Sequence, residues 1–185
     1  IENYFVWLNT NSEFLDKLAR CNINITGTSL SDDDFQFFLL NVFEKYHIPH
    51  QKICFEITET AAIINMNDTI RFIKQFKRLG CTFALDDFGS GFSSYRYLKN
   101  LPVDYVKIDG NFIRNILTDP IDLAMVTSIR DVAGAMSIQT IAEFVESDEI
   151  MVQLGKIGLD FAQGYCIAEP APLIEFVSYN SVPTK

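Results

Sequence analysis

The chain has 185 residues, 48% of them hydrophobic and 21% charged, which is enough for one sizeable core. A formal net charge of -9 and a pI near 4.6 exclude a broad nucleic-acid surface, because polyanion binding needs clustered Lys and Arg. The four cysteines, Cys21, Cys54, Cys81 and Cys166, form no CxxC pair and no Cys/His cluster. Neither a zinc site nor a redox dithiol is therefore expected, and reduced thiols in a reducing compartment are. No apolar run is long enough to span a bilayer, so no membrane contact is expected from this segment.

The predicted elements alternate in type along the chain. A helix over residues 3–18 leads to an alternating apolar-polar strand over 21–26. Ser31 with Asp34 signals a helix running to about Tyr46, and Pro49 marks the loop after it. A strand follows over 52–58, then a helix over 68–79 that stops at Gly80. Next come a strand over 81–85, a glycine-containing loop and a short helix over 94–99. A strand over 105–108, a helix over 121–133, a strand over 137–142, a helix over 147–154 and a short strand over 160–163 complete the chain. Strands separated by helices of this length imply βα units and parallel pairing. About six such units in an unbroken run favour a TIM-like βα barrel, although such barrels normally have eight.

Strand parity then selects one face. Side chains of a barrel strand alternate between the interior and the surrounding helices. In Ile23-Asn24-Ile25-Thr26 the isoleucines share one face and Asn24 the other. In the strand over 53–58, Ile53, Phe55 and Ile57 point to the helices, which turns Glu56 inward. The same rule turns Asp86 inward after Phe83 and Leu85, and Lys107 and Asp109 inward around Val106 and Ile108. All of these inward groups lie near strand C-terminal ends, where this architecture carries its functional residues.

Carboxylates converging on one rim repel each other, and a buried charge costs several kcal/mol unless it is paired or bound to a metal. A hard divalent cation resolves the conflict, and Asn, Glu and Asp oxygens suit Mg²⁺ or Mn²⁺. Adjacent Asp86 and Asp87 fit a two-metal arrangement for phosphoester cleavage, one bridging two ions and the other holding the second. Lys107 beside them could neutralise phosphate charge or orient an attacking water. Each feature alone has a plainer reading. Glu56 and Glu59 could be surface carboxylates, residues 86–89 an ordinary turn, and Lys107 a structural partner of Asp104 or Asp109. The same inward pattern on four strands carries more weight than any one of them.

Several stretches, taken in order, resemble the bacterial EAL-domain cyclic di-GMP phosphodiesterases. Residues 23–27 (INITG) resemble that family's Asn-x-Ser-Gly strand end, and 55–60 (FEITET) its Glu-x-Thr-Glu segment. Residues 85–94 (LDDFGSGFSS) resemble its Asp-Asp-Phe-Gly loop, and 101–109 (LPVDYVKID) the strand after it. Residues 142–146 (AEFVE) and 162–165 (AQGY) match two further segments, so the resemblance covers nearly the whole chain.

The resemblance implies hydrolysis of cyclic di-GMP to linear pGpG with two Mg²⁺ or Mn²⁺ ions. Asn24, Glu56 and Asp86 would hold the first ion, and Asp86 and Asp87 the second. Lys107 would contact the attacking water or the scissile phosphate, Glu143 would be a candidate general base, and Asp109 and Gln163 would help hold substrate. Glu59 and the loop residues Phe88, Gly89, Ser90 and Gly91 would couple substrate binding to a homodimer interface. The resemblance further implies a cytoplasmic location and attachment to sensory or GGDEF modules in a parent protein.

The family's Glu-Ala-Leu motif, followed by an Arg, lies upstream of its Asn strand and does not occur in this chain. The expectation is a single EAL-like domain over 1–185 whose first βα portion lies outside this sequence. The alternative on the same residues is a non-catalytic EAL module that serves as a cyclic di-GMP receptor or protein-interaction domain.

Overall fold

The computed structural model describes residues 1–89 and 95–173. Among these the elements run α1 (Glu2–Thr10), α2 (Ser12–Lys17), β1 (Cys21–Ile25), α3 (Gly27–Leu30), α4 (Asp33–Tyr46), β2 (Ile53–Thr58), α5 (Glu59–Ile64), α6 (Met66–Leu79), β3 (Thr82–Phe88) and α7 (Tyr95–Leu98). They continue with β4 (Tyr105–Ile108), α8 (Gly110–Arg114), α9 (Pro120–Ala135), β5 (Gln139–Ala142), α10 (Asp148–Ile157) and β6 (Phe161–Ala162). All six strands pair in parallel in the order β1-β2-β3-β4-β5-β6. The fold is a TIM-like βα barrel, and among the described residues β1 and β6 stand at the two ends of its sheet.

Local chemistry sets the element boundaries. The first predicted helix divides at Asn11, whose φ of -125° is not helical. Asp32, rather than Ser31, caps α4, its Oδ1 accepting from the amides of Asp34 and Phe35 at 2.9 and 3.1 Å. Such a cap satisfies donors that a helix start leaves unpaired. Gly80, at φ 106°, ends α6 where the sequence places the stop. Asp119 caps α9 with Pro120 at its first turn. No described helix is long and apolar enough to cross a membrane.

Two apolar layers follow from strand parity. Outward side chains such as Phe55, Phe83, Val106 and Ile108 pack against the helices in one large core. Phe55 is its aromatic centre, with the rings of Phe43, Phe72, Phe76 and Phe83 at 5.5–6.4 Å. Inward side chains Cys54, Ala84, Tyr105 and Ile141 form a smaller interior cluster. The Arg20 guanidinium lies 4.0 Å above the Tyr105 ring at the foot of that interior. The interior polar groups sit above this layer, toward the strand C-terminal ends.

Candidate active site

Register brings the inward groups onto one surface. Asn24 pairs with Glu56, Glu56 with Ala84 and Thr58 with Asp86. Lys107 pairs with Ile141, two residues before Glu143, which follows the end of β5. The result is one ammonium among three carboxylates. Lys107 Nζ lies 3.1 Å from Glu56 Oε2, 2.8 Å from Asp86 Oδ1 and 2.8 Å from Glu143 Oε1, with its side chain only 4% exposed. Four strands therefore meet at one cation, and the structural pairing of Lys107 with Asp104 or Asp109 gives way to this cluster. Asp104 instead binds Lys77 Nζ at 2.6 Å and the amide of Phe83 at 2.9 Å.

The electrostatics follow from burial and proximity. Burial works against the charged form of Lys107. The hydrogen bonds to Asp86 and Glu143 and the charge of Glu56 outweigh it, so the ammonium is held charged. Burial raises the Glu143 carboxyl above its ordinary range, and Lys107 opposes that rise. Burial also raises Asp87, aided by the negative charges of Asp86 and Asp109. Asp87 has a φ of 55°, in the left-handed region. That conformation costs a residue with a Cβ on the order of 1 kcal/mol and recurs at functional sites.

Asp86, Asp87 and Glu143 each present a carboxylate oxygen within 4.8 Å of the other two. Ligands on opposite sides of one Mg²⁺ stand about 4.2 Å apart, and those around Ca²⁺ about 5 Å. This donor set is all oxygen, as a hard divalent ion requires. The donor chemistry of the two aspartates suits such an ion, and Glu143 stands beside them.

Asn24 shares a face with Glu56 but is exposed. The amide that reaches Glu56 belongs to Asn22, whose Nδ2 donates to Glu56 Oε1 at 2.7 Å. Asn22 lies two residues before Asn24 and shares its face by strand parity. Asp109 is buried, and its Oδ1 accepts from the amide of Asn111 at 2.7 Å to cap α8. The exposed Gln163 lines a cavity of about 290 Å³ with Glu143, Phe144 and Arg114. Sequence reasoning did not single out Phe144 or Arg114.

Glu59 is buried rather than a surface carboxylate, and its Oε2 accepts from the amide of Gly89 at 3.1 Å. It thus ties the start of α5 to the loop after β3. Gly89 has a φ of 105°, and a Cβ there would approach Phe112 Cε2 to 2.4 Å, so both torsion and space demand glycine. Phe88 is buried, its ring 6.1 Å from that of Tyr95. Ser90 and Gly91 lie outside the described residues.

Comparison with known proteins matches this arrangement of strands and residues to one family. The family model described as EAL domain matches residues 8–170. The chain is 46% identical over 176 residues to the cyclic di-GMP phosphodiesterase PdeB of Shewanella oneidensis, covering 95% of this chain and 20% of that protein. It is 40% identical over 152 residues to the cyclic di-GMP phosphodiesterase PdeA of Borreliella burgdorferi, covering 82% of this chain and 23% of that protein. The chain thus spans about a fifth of the length of these curated relatives. The solved structure of the EAL enzyme Bd1971 with cAMP and cyclic di-GMP bound superposes with a TM-score of 0.84 at 34% identity, covering 96% of this chain and 47% of that one. With the family model matched across the inward residues and the fold shared with solved EAL domains, the chain belongs to the EAL domain family.

Proposed function

We propose that this chain is the hydrolytic domain of a cyclic di-GMP phosphodiesterase that opens its substrate to linear pGpG at a two-metal site. One observation carries the reading: Lys107 is enclosed by Glu56, Asp86 and Glu143 from three other strand ends, and Asp87 and Glu143 stand with Asp86 at metal-ligand spacing. The activities of the named relatives support the choice of substrate.

In this reading Asn24, Glu56, Asp86 and Asp87 would hold the Mg²⁺ or Mn²⁺ ions. When bound, the ions polarise the phosphate and lower the pKa of water at neutral pH. Asn22 fixes the orientation of Glu56 through its 2.7 Å hydrogen bond. Lys107 directs its ammonium at the phosphate oxygens or the attacking water. Glu143, its carboxyl raised by burial, accepts the proton of that water. The water oxygen bonds to phosphorus, the P–O3′ bond breaks, and the departing O3′ takes up a proton from solvent. Asp109 and Gln163 help hold the substrate. Glu59, Phe88 and Gly89 link the site to a homodimer interface.

Incubation with cyclic di-GMP and Mn²⁺, followed by chromatography, tests the reading. It predicts pGpG. Tight cyclic di-GMP binding in Ca²⁺ with no pGpG in Mn²⁺ would instead identify a receptor module.

A further inference from the structure

Glu143 stands just past the reach of its own strand. It follows Ala142, the last residue of β5, and its amide reaches Ile108 O only at 3.4 Å. Phe144 comes next, with a φ of 52°. A left-handed backbone is unfavourable for a residue with a side chain and persists where its surroundings enforce it. Yet the Glu143 carboxylate is held 2.8 Å from Lys107 Nζ. A support other than the β4–β5 ladder must therefore fix this turn.

The segment after β6 supplies it. The amide of Gln163 donates to Ala142 O at 2.8 Å, immediately before Glu143. The amide of Val145 donates to Gln163 O at 3.0 Å, and the amide of Cys166 donates to Val145 O at 3.0 Å. One short segment thus takes up both the N–H and the C=O of Val145, a residue that is fully buried. Gly164 lies inside this ring of bonds, against the Val145 backbone. A Cβ at Gly164 would stand 2.3 Å from both N and O of Val145 and 2.7 Å from its carbonyl carbon. Ordinary contact needs about 3.5 Å. Backbone meets backbone here, so no flexible side chain can give way.

We propose that Gly164 is a positioning residue for Glu143. By letting residues 163–166 close on the Val145 backbone, it holds the turn after β5 and aims the Glu143 carboxylate at Lys107 and the attacking water. A methyl group at position 164 would part the two segments by about 1 Å. A misplacement of that size costs on the order of 10²-fold in rate. The rate effect rests on the phosphodiesterase reading, whereas the placement of Glu143 does not.

A cycle of Gly164→Ala, Glu143→Gln and the double variant tests this role. Residues 163–168 are half-buried or exposed, so Gly164→Ala is expected to fold. It is expected to lower kcat for cyclic di-GMP about 10²-fold in the parent. In Glu143→Gln, where the group it aims is already gone, the further loss is expected to stay below about threefold. Equal fold losses in both backgrounds would reveal a general structural defect and overturn the proposal. Thermal melting reads the same four proteins without turnover. Glu143→Gln removes a charged partner of Lys107 and is expected to move Tm about twice as far in the parent as in Gly164→Ala, where that contact is already disturbed. Equal shifts overturn the placement, whether or not the parent makes pGpG; absence of pGpG with unequal shifts removes only the phosphodiesterase reading. Hydrogen exchange on the parent needs no substitution. The amides of Val145 and Cys166 are expected to exchange as slowly as the bonded amides of β5. Exchange at the rate of an open loop would overturn the proposal even if Gly164→Ala failed to fold.

Discussion

Replacing Lys107 by Met tests the electrostatics of the site without touching a carboxylate. The parent side chain is 4% exposed and has three carboxylate oxygens within 3.1 Å. Methionine keeps the length and removes the charge, leaving Glu56, Asp86 and Glu143 facing one another without a cation. Their cheapest escape at pH 7 is for one to take up a proton. For a carboxyl of ordinary pKa that step costs about 4 kcal/mol. The figure agrees with the ~3–5 kcal/mol typical of breaking a buried ion pair. In a domain of this size 1 kcal/mol corresponds to about 2–4 °C in Tm, so the variant should melt about 8–16 °C below the parent in EDTA. Mn²⁺ at a hundred times its Kd should return about 2.7 kcal/mol. Differential scanning fluorimetry with and without metal reads both shifts. A variant that melts within 2 °C of the parent in EDTA would refute the idea that one ammonium holds these carboxylates together.

Three other substitutions separate orientation, chemistry and packing. Asn22→Ala removes the donor that orients Glu56 and should weaken Mn²⁺ binding by about 10- to 100-fold, the usual effect of losing an outer partner; isothermal titration checks it. Glu143→Gln keeps the shape of the proposed base and removes its proton affinity, so kcat should fall by about 10²–10⁴ with KM nearly unchanged, measured by steady-state kinetics. Phe55→Ala empties the centre of the aromatic core and should cost about 3–5 kcal/mol, read as a lower urea midpoint with little change in m.

Much of this site was legible from alternation alone. Ile53, Phe55 and Ile57 must face the helices, which turns Glu56 inward, and the same rule on β3 and β4 delivers Asp86 and Lys107. Their spatial meeting was less legible. Glu143 lies beyond the end of β5, where parity no longer strictly applies, yet it comes within 2.8 Å of Lys107. By sequence β3 ends near Leu85, because Asp-Asp-Phe-Gly has turn composition. It runs to Phe88 through a register shift after Leu85, with Asp87 in the left-handed region absorbing the irregularity. The helices α3, α5 and α8 escaped notice because four to six residues are too few to show a 3.6-residue period. Their caps come from Thr26, Thr58 and Asp109 at strand ends, so a single residue serves both the strand and the following turn. Asn22 and Asn24 were equivalent by parity, and only the packing decides which amide reaches Glu56.

The central claim is that Asp86 stands where the metal and the phosphate meet. Mn²⁺ binding followed by electron paramagnetic resonance, alongside pGpG formation, tests it directly in the parent and in Asp86→Asn. The account predicts that the parent binds Mn²⁺ and makes pGpG in step with occupancy, and that Asp86→Asn loses both. Turnover that survives in EDTA, or that Asp86→Asn leaves undiminished, would contradict it.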